Sequence, residues 1–223
     1  MPRYLVLDIE TLPHPDAGNW LEPLPSAEAP SNYKDEAKIA AYIAKANADA
    51  AAARDGKLGL DPDCCQICAV GWYVVGTDEP KVVITKNEAE EAGALRELAE
   101  AYAAPLGQQE TRIVTFYGRQ FDLPVLMRRA MYLGVKFPVL NLDRYRSPHI
   151  DVWDALTFGG ALRTAHSLAF YSKRMGFTTL DKVDGADIAK LAAAGNWEAI
   201  KAHCLSDVGI CHAVANRLGL LRL

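Results

Sequence analysis

Arg3-Tyr4-Leu5-Val6-Leu7-Asp8-Ile9-Glu10-Thr11 is the stretch on which the fold turns. Arg3 to Asp8 is rich enough in apolar and β-branched residues to predict a strand. Residues i and i+2 of a strand project from one face, so Asp8 and Glu10 point together at its end. Leu5, Val6 and Leu7 run without a polar break, which marks a buried, central strand. Two carboxylates at such a place repel and raise each other's pKa. A divalent cation between them removes that repulsion. A solvated strand end with two surface acids is the plain alternative.

Outward from this strand, residues 11–32 carry five prolines (Pro13, Pro15, Pro23, Pro25 and Pro30) and predict an irregular excursion. Residues 34–54 are alanine-rich and predict a helix after the Ser31-Asn32 cap candidates. Ile39, Tyr42 and Ile43 are its only wide apolar residues, so it packs thinly and belongs at the periphery. Cys65–Val75 and Lys81–Thr85 read as two strands joined by a turn over Gly76-Thr77-Asp78-Glu79-Pro80. A helix follows over 88–103, then a strand over Arg112–Tyr117 and a helix from Phe121 to Leu133, with Pro124 tolerated in its first turn. Ile150–Trp153 is a short strand or the extended start of a helix. Ser167–Met175, Asp187–Ala193 and Trp197–Leu218 read as helices, with Gly176 and Gly219 as stops. The expected architecture is α/β: a mixed sheet with an antiparallel N-terminal meander, flanked by helices.

The 223 residues fit one domain, spanning 1–223, with an insertion at about 11–60. No apolar run reaches the roughly 18 residues of a bilayer span. The start of the chain lacks a signal peptide's pattern. Five cysteines, three of them in Cys64-Cys65-Gln66-Ile67-Cys68, do not form a secreted disulfide framework, so the expected location is the cytoplasm. Net charge is -4 but unevenly spread. Residues 1–111 hold 9 basic against 19 acidic side chains, and residues 112–174 hold 10 against 4. A basic middle beside acidic flanks suits a polyanion track next to a carboxylate-rich centre, and it also suits ordinary surface variation.

Two further acids stand out. Asp122, in Phe121-Asp122-Leu123-Pro124, precedes a helix, where Asp is commonly an N-cap. His203 and Asp207 are four apart in the last helix and share one face. They form a surface pair, or an acid that is paired or metal-bound beside the apolar Val208, Ile210, Cys211 and Val214.

Together these signals carry a resemblance. The chain resembles the DEDD superfamily of 3′–5′ exonucleases, which have a ribonuclease H-like fold. It looks most like the stand-alone bacterial and phage relatives of the family B DNA polymerase proofreading domain. Asp8-Ile9-Glu10-Thr11, Tyr117 through Pro124, and His203-Cys204-Leu205-Ser206-Asp207-Val208 match that superfamily's three motifs in order. Leu60–Asp63, Ser167-Leu168 and Val183–Asp187 resemble its connecting segments. Two positions depart from it. Tyr117 stands where Asn is usual, and His203 stands where Tyr is usual, four residues before the acid. The superfamily's histidine subgroup places its ring five residues before, at Ala202 here. Four and five residues differ by about 100° around a helix, so His203 takes the tyrosine's site.

The resemblance implies a metal-dependent 3′–5′ exonuclease that acts on single-stranded DNA and releases nucleoside monophosphates. It implies two divalent cations, Mg2+ or Mn2+. By the resemblance, Asp8 would bridge them, Glu10 and Asp122 would share the remaining positions, and Asp207 would hold the ion nearer the nucleophile. His203 is the candidate to orient or deprotonate the water, since imidazole titrates nearer neutrality than phenol. Thr11, Tyr117, Arg119 and Phe121 are the expected substrate contacts. Phe121, Tyr117 or Tyr145 would stack bases, and Arg128, Arg129, Arg144, Arg146, Arg163, Lys173 and Arg174 are further phosphate candidates. The expected partners are single-stranded nucleic acid 3′ ends, DNA favoured over RNA, and no membrane. RNA ends, or a silent nucleic-acid-binding domain of the same fold, are the competing readings. His149, Asp151 and Asp154 form another polar cluster, for which N-capping or hydrogen bonding outweighs metal ligation. Cys64, Cys65 and Cys68 lack a second Cys/His pair and read as strand packing rather than a zinc site.

Overall fold

The first strand sorts its side chains between two cores. In a computed structural model, which describes residues 2–76, 79–103, 111–144, 146–177 and 183–221, β1 (Arg3–Pro13) is the central strand of a five-stranded sheet. Its partners are β2 (Cys65–Val74), β3 (Lys81–Ile84), β4 (Thr111–Thr115) and β5 (Ile150–Asp151), in the order β3-β2-β1-β4-β5. β1–β2 and β2–β3 are antiparallel; β1–β4 and β4–β5 are parallel. The mixed sheet with an N-terminal meander is thus the one expected from the sequence. Thr77 and Asp78 of the expected turn, and Tyr145, lie outside the described residues.

Eight helices are described: α1 (Ala17–Trp20), α2 (Glu36–Asp55), α3 (Glu88–Tyr102), α4 (Asp122–Tyr132), α5 (Val152–Leu156), α6 (Leu168–Met175), α7 (Ile188–Ala193) and α8 (Trp197–Arg217). Leu5, Leu7 and Ile9 of β1 face a core built with Leu95 and Leu98 of α3 and Leu123 and Leu126 of α4. Tyr4 and Val6 face the other core, with Val208, Cys211 and Val214 of α8. The period of two carries Asp8 and Glu10 onto that second face, under α8.

Three local features open a site there. β4 pairs only with Arg3–Val6, so β1 runs on past it and leaves Asp8 and Glu10 beside an open edge. The β1–β2 register shifts between Glu10 and Thr11, which makes Cys68 the extra residue of a bulge; bulges re-aim nearby side chains. Gly71 of β2 lies opposite Asp8. A Cβ there would stand 2.6 Å from Cys204 Sγ and 3.0 Å from a Val208 methyl, so glycine is what lets α8 lie against the strands.

The expected boundaries move in places. β1 continues to Pro13, because Thr11, Leu12 and Pro13 pair with Ile67, Gln66 and Cys65. The excursion therefore begins later than residue 11. The α2 cap is Asp35, whose carboxylate accepts from the N–H groups of Ala37 and Lys38, in place of Ser31 or Asn32. α2 buries none of its residues, as its thin stripe requires. Cys64, Cys65 and Cys68 are buried free thiols, with Cys65 and Cys68 in β2. Burial pushes the Cys65 thiol up to about 12.

Under α3 and α4 lies a buried ion pair. Arg129 donates from Nε to Glu91 Oε1 at 2.7 Å and from Nη2 to Oε2 at 2.8 Å. Glu91 Oε1 also accepts from the Ile67 N–H at 3.1 Å, beside the bulge. Removing one partner leaves a buried charge uncompensated. Arg129→Met should lower unfolding free energy by about 3–5 kcal/mol, read from urea titration. Replacing Glu91 as well, with Leu, should restore part of the loss, the Ile67 N–H remaining unsatisfied.

Candidate active site

Asp8 lies on β1 beside Cys204 of α8, and its surroundings are acidic. Its carboxyl is held well above the usual carboxylate range, first by burial and then by Glu10, Asp122 and Asp207; the Cys204 thiol opposes this. Asp8 Oδ2 is buried with no hydrogen-bond partner. The four acids therefore come from three elements: Asp8 and Glu10 from β1, Asp122 from the start of α4, and Asp207 from α8. One ligand atom each from Asp8, Glu10 and Cys204 lies within 4.8 Å of the others. The thiol itself donates to the Asp8 main-chain carbonyl at 3.8 Å.

Asp122 is not an N-cap. Phe121 takes the cap position without a side-chain bond, and Asp122 is the first helical residue. Its carboxyl is buried and pushed up to about 7, chiefly by desolvation. Asp151 and Asp207 push the same way, while the N–H groups of Asp122 itself and of Ile9 pull it down. The free edge of β1 beyond Val6 is what brings Ile9 within its reach.

His203 and Asp207 share one face of α8, as the spacing requires. Nε2 of His203 lies 3.6 Å from Glu10 Oε1 and 4.0 Å from Asp207 Oδ2. The ring is buried and bridges the acids of the strand and the helix. A cavity of about 600 Å3 opens here, lined among others by Asp8, Glu10, His203, Asp207 and Lys173. A second opening of about 520 Å3 is lined by Asp8, Asp122, Asp207, Tyr117, Phe121 and Leu60. Ser167 and Leu168 line both.

The expected substrate contacts divide. Tyr117 and Phe121 line the second opening, and Tyr117 is 43% exposed. Thr11 instead donates its hydroxyl to the Gly59 carbonyl at 2.6 Å. Arg119 does not match its expected role. Its side chain is 12% exposed, with Nε on Asp154 at 2.8 Å and Nη1 on the Leu142 carbonyl. Arg144 reaches the other oxygen of Asp154 at 2.6 Å, Arg129 is the buried partner of Glu91, and Arg128 pairs with Asp63 at 3.2 Å. These cations are committed within the protein.

Asp151 is an N-cap, as preferred for it. It accepts from the N–H of Trp153 at 3.0 Å. It also accepts from the N–H of Tyr117 at 2.9 Å and of Arg119 at 3.0 Å, and so fixes the loop before Asp122. Tyr117 has a φ of 66°, the left-handed region, which a bulky residue rarely adopts. The Asn usual in the superfamily suits that region better. His149 bonds Thr115 Oγ1 at 2.8 Å, and burial pushes its pKa down to about 4. Leu60, 66% exposed at the cleft, is a lining residue the sequence did not single out as one. It reaches the cleft through the Thr11–Gly59 hydrogen bond, which no local pattern encodes.

Residues 60–222 match the family described as a predicted 3′–5′ exonuclease related to the exonuclease domain of PolB. The chain belongs to this family. The matched residues hold Asp122, His203 and Asp207, while Asp8 and Glu10 precede them on the central strand. Among curated proteins, none matches the chain. Among solved structures, the family B DNA polymerase of Pyrobaculum calidifontis is similar, with a TM-score of 0.55 at 14% identity, over 98% of this chain and 24% of that one. A product-bound exonuclease I gives 0.51 at 12% identity, over 99% of this chain and 44% of that one. E. coli exonuclease I in complex with a dA16 oligonucleotide gives 0.51 at 13% identity, over 100% and 41%. At these identities the likeness is one of fold, and this family member spans under half the length of each of the three. Among the described residues no helix is long and apolar enough to cross a membrane.

The raised carboxyls set a pH dependence for the metal-free protein. A raised pKa in the fold means that the native state binds protons more tightly than the unfolded chain. The associated stability is whole below the unfolded pKa near 4 and falls as pH rises toward Asp122's value of about 7. Asp122→Asn should therefore raise the melting temperature in chelator at about pH 8 by several degrees, and the gain should vanish near about pH 4.

Proposed function

We propose that this chain is a metal-dependent 3′–5′ exonuclease acting on single-stranded DNA ends. One observation carries the reading: the buried, unpartnered Asp8 Oδ2 belongs to a carboxyl crowded by three others, Glu10, Asp122 and Asp207. Such a cluster opposes its own ionisation, and hard oxygen donors of this kind suit magnesium or manganese. The donor set thus fits two divalent cations held by Asp8, Glu10, Asp122 and Asp207. When bound, the cations supply charge neutralisation at the scissile phosphate, a more acidic water and a stabilised leaving oxygen.

The chain's own residues do the rest. The four carboxylates offset the charge of two divalent cations, so a protein of net charge -4 can accept a polyanion. His203 sits between Glu10 and Asp207, where its imidazole orients the attacking water and takes its proton. Tyr117 presents an exposed ring at the opening beside Asp8, Asp122 and Asp207, where it stacks on an unpaired base. Asp151 keeps the Tyr117 main chain in place. The likeness of the fold to structures solved with an oligodeoxynucleotide supports DNA as the substrate.

A 3′-recessed and a single-stranded 5′-labelled oligonucleotide, each incubated with Mg2+, Mn2+ or chelator, test this directly. Stepwise shortening of the single strand that needs the cation is expected. Asp8→Ala should slow it by at least about 100-fold, and an Asp8→Ala protein as fast as its parent would end the assignment. His203→Ala should lower kcat by about 100-fold or more and leave KM nearly unchanged. A matched oligoribonucleotide cut faster than the DNA would move the substrate to RNA.

A further inference from the structure

We propose that α6 is the track along which the single strand leads into this site, with Lys173 and Arg174 on its phosphates and Phe170 stacked on a base. The inference rests on the nuclease reading and extends it to a surface. α6 starts at the cleft, since Ser167 and Leu168 line both openings beside Asp8 and Asp207. Lys173 lines the larger opening together with those acids. Phe170, Lys173 and Arg174 are three and four apart, so they share one side of the helix. Phe170 is 41% exposed, and the His166 ring stacks on it at 4.0 Å and 26°. An exposed aromatic pair beside two cations is the pattern that binds single strands without regard to sequence.

Charge supports the same surface. No acidic residue stands between Asp154 and Asp181 in the sequence, while Arg163, Lys173 and Arg174 do. Among the described residues no carboxylate pairs with any of these three, whereas Arg119, Arg128, Arg129 and Arg144 are all paired. Lys173 and Arg174 also lie in the last turn of α6, where cations favour the helix dipole. That accounts for neither the exposed Phe170–His166 stack nor the opening of Lys173 onto the acid cluster.

Binding measured without cleavage tests the track. The full chain carrying Asp8→Asn, in chelator, is titrated against a fluorescein-labelled oligothymidylate over a range of salt, read by anisotropy. Each phosphate contact on a single strand contributes about 0.7 to the log–log salt slope. Lys173→Glu with Arg174→Glu should therefore flatten the slope by about 1.4 and weaken binding. Phe170→Ala should weaken binding about 5-fold or more with the slope kept. Lys38→Glu with Lys45→Glu, the same charge change on α2, should leave the slope alone. All positions changed for the comparison are exposed or half-exposed on helices, and thermal unfolding checks that each variant is folded. An unchanged slope in the α6 pair, an equal loss in the α2 pair, or equal binding of a blunt duplex would overturn the proposal. Binding that depends on α6 in a protein that never cleaves would keep the track and discard the nuclease. Cleavage with no dependence on α6 would do the reverse.

Discussion

Four carboxylates brought together at one cleft, Glu10 and Asp122 of them buried, are the constraint on which this structure is arranged. Like charges at that separation raise one another's pKa and oppose folding. The fold holds them together because each is fixed by an element committed elsewhere. β1 is pinned between β2 and β4 and is apolar on both faces up to Leu7. α4 is anchored by Leu123 and Leu126, and α8 by Val208, Cys211 and Val214. Apolar burial on either side of the sheet thus offsets a locally unfavourable centre, the usual relation between a scaffold and a strained functional site.

The sequence made much of this legible because the elements involved obey simple periods. Leu5-Val6-Leu7 announced a buried strand, and a period of two placed Asp8 and Glu10 on one side. A period of 3.6 put His203 and Asp207 on one side of a long helix. What it did not disclose were features decided by distant partners. Asp122 looks like a cap in its tetrapeptide, and only the open edge of β1 near Ile9 turns it inward. Thr11 looks like part of a substrate motif, yet its hydroxyl is taken by Gly59, far along the chain. Arg119 sits inside a motif and is consumed by Asp154. Neither composition nor spacing states which carboxylate an arginine will find.

The basic middle segment shows the same point at larger scale. Seven of its ten cations fall into two groups with opposite duties. Arg119, Arg128, Arg129 and Arg144 fasten loops and helices together, and Arg129 does so from the interior. Arg163, Lys173 and Arg174 remain on the surface, in a stretch without acids. Net charge counts both groups alike, so the positive sum over residues 112–174 overstates the part available to a polyanion.

α2 differs from every other long helix in that it sinks no side chain into the protein. Its ties are local: Asn47 Oδ1 accepts from the Ala27 N–H at 2.7 Å, and Tyr33 meets Tyr42 edge-on at 5.6 Å. α2 thus leans on its own excursion, which reaches β1 at its far end through the Thr11–Gly59 hydrogen bond. For the experimenter it is a natural handle, a site where a dye, a biotin or a whole second domain can be grafted, so that single molecules can be tethered and watched while the working face stays untouched.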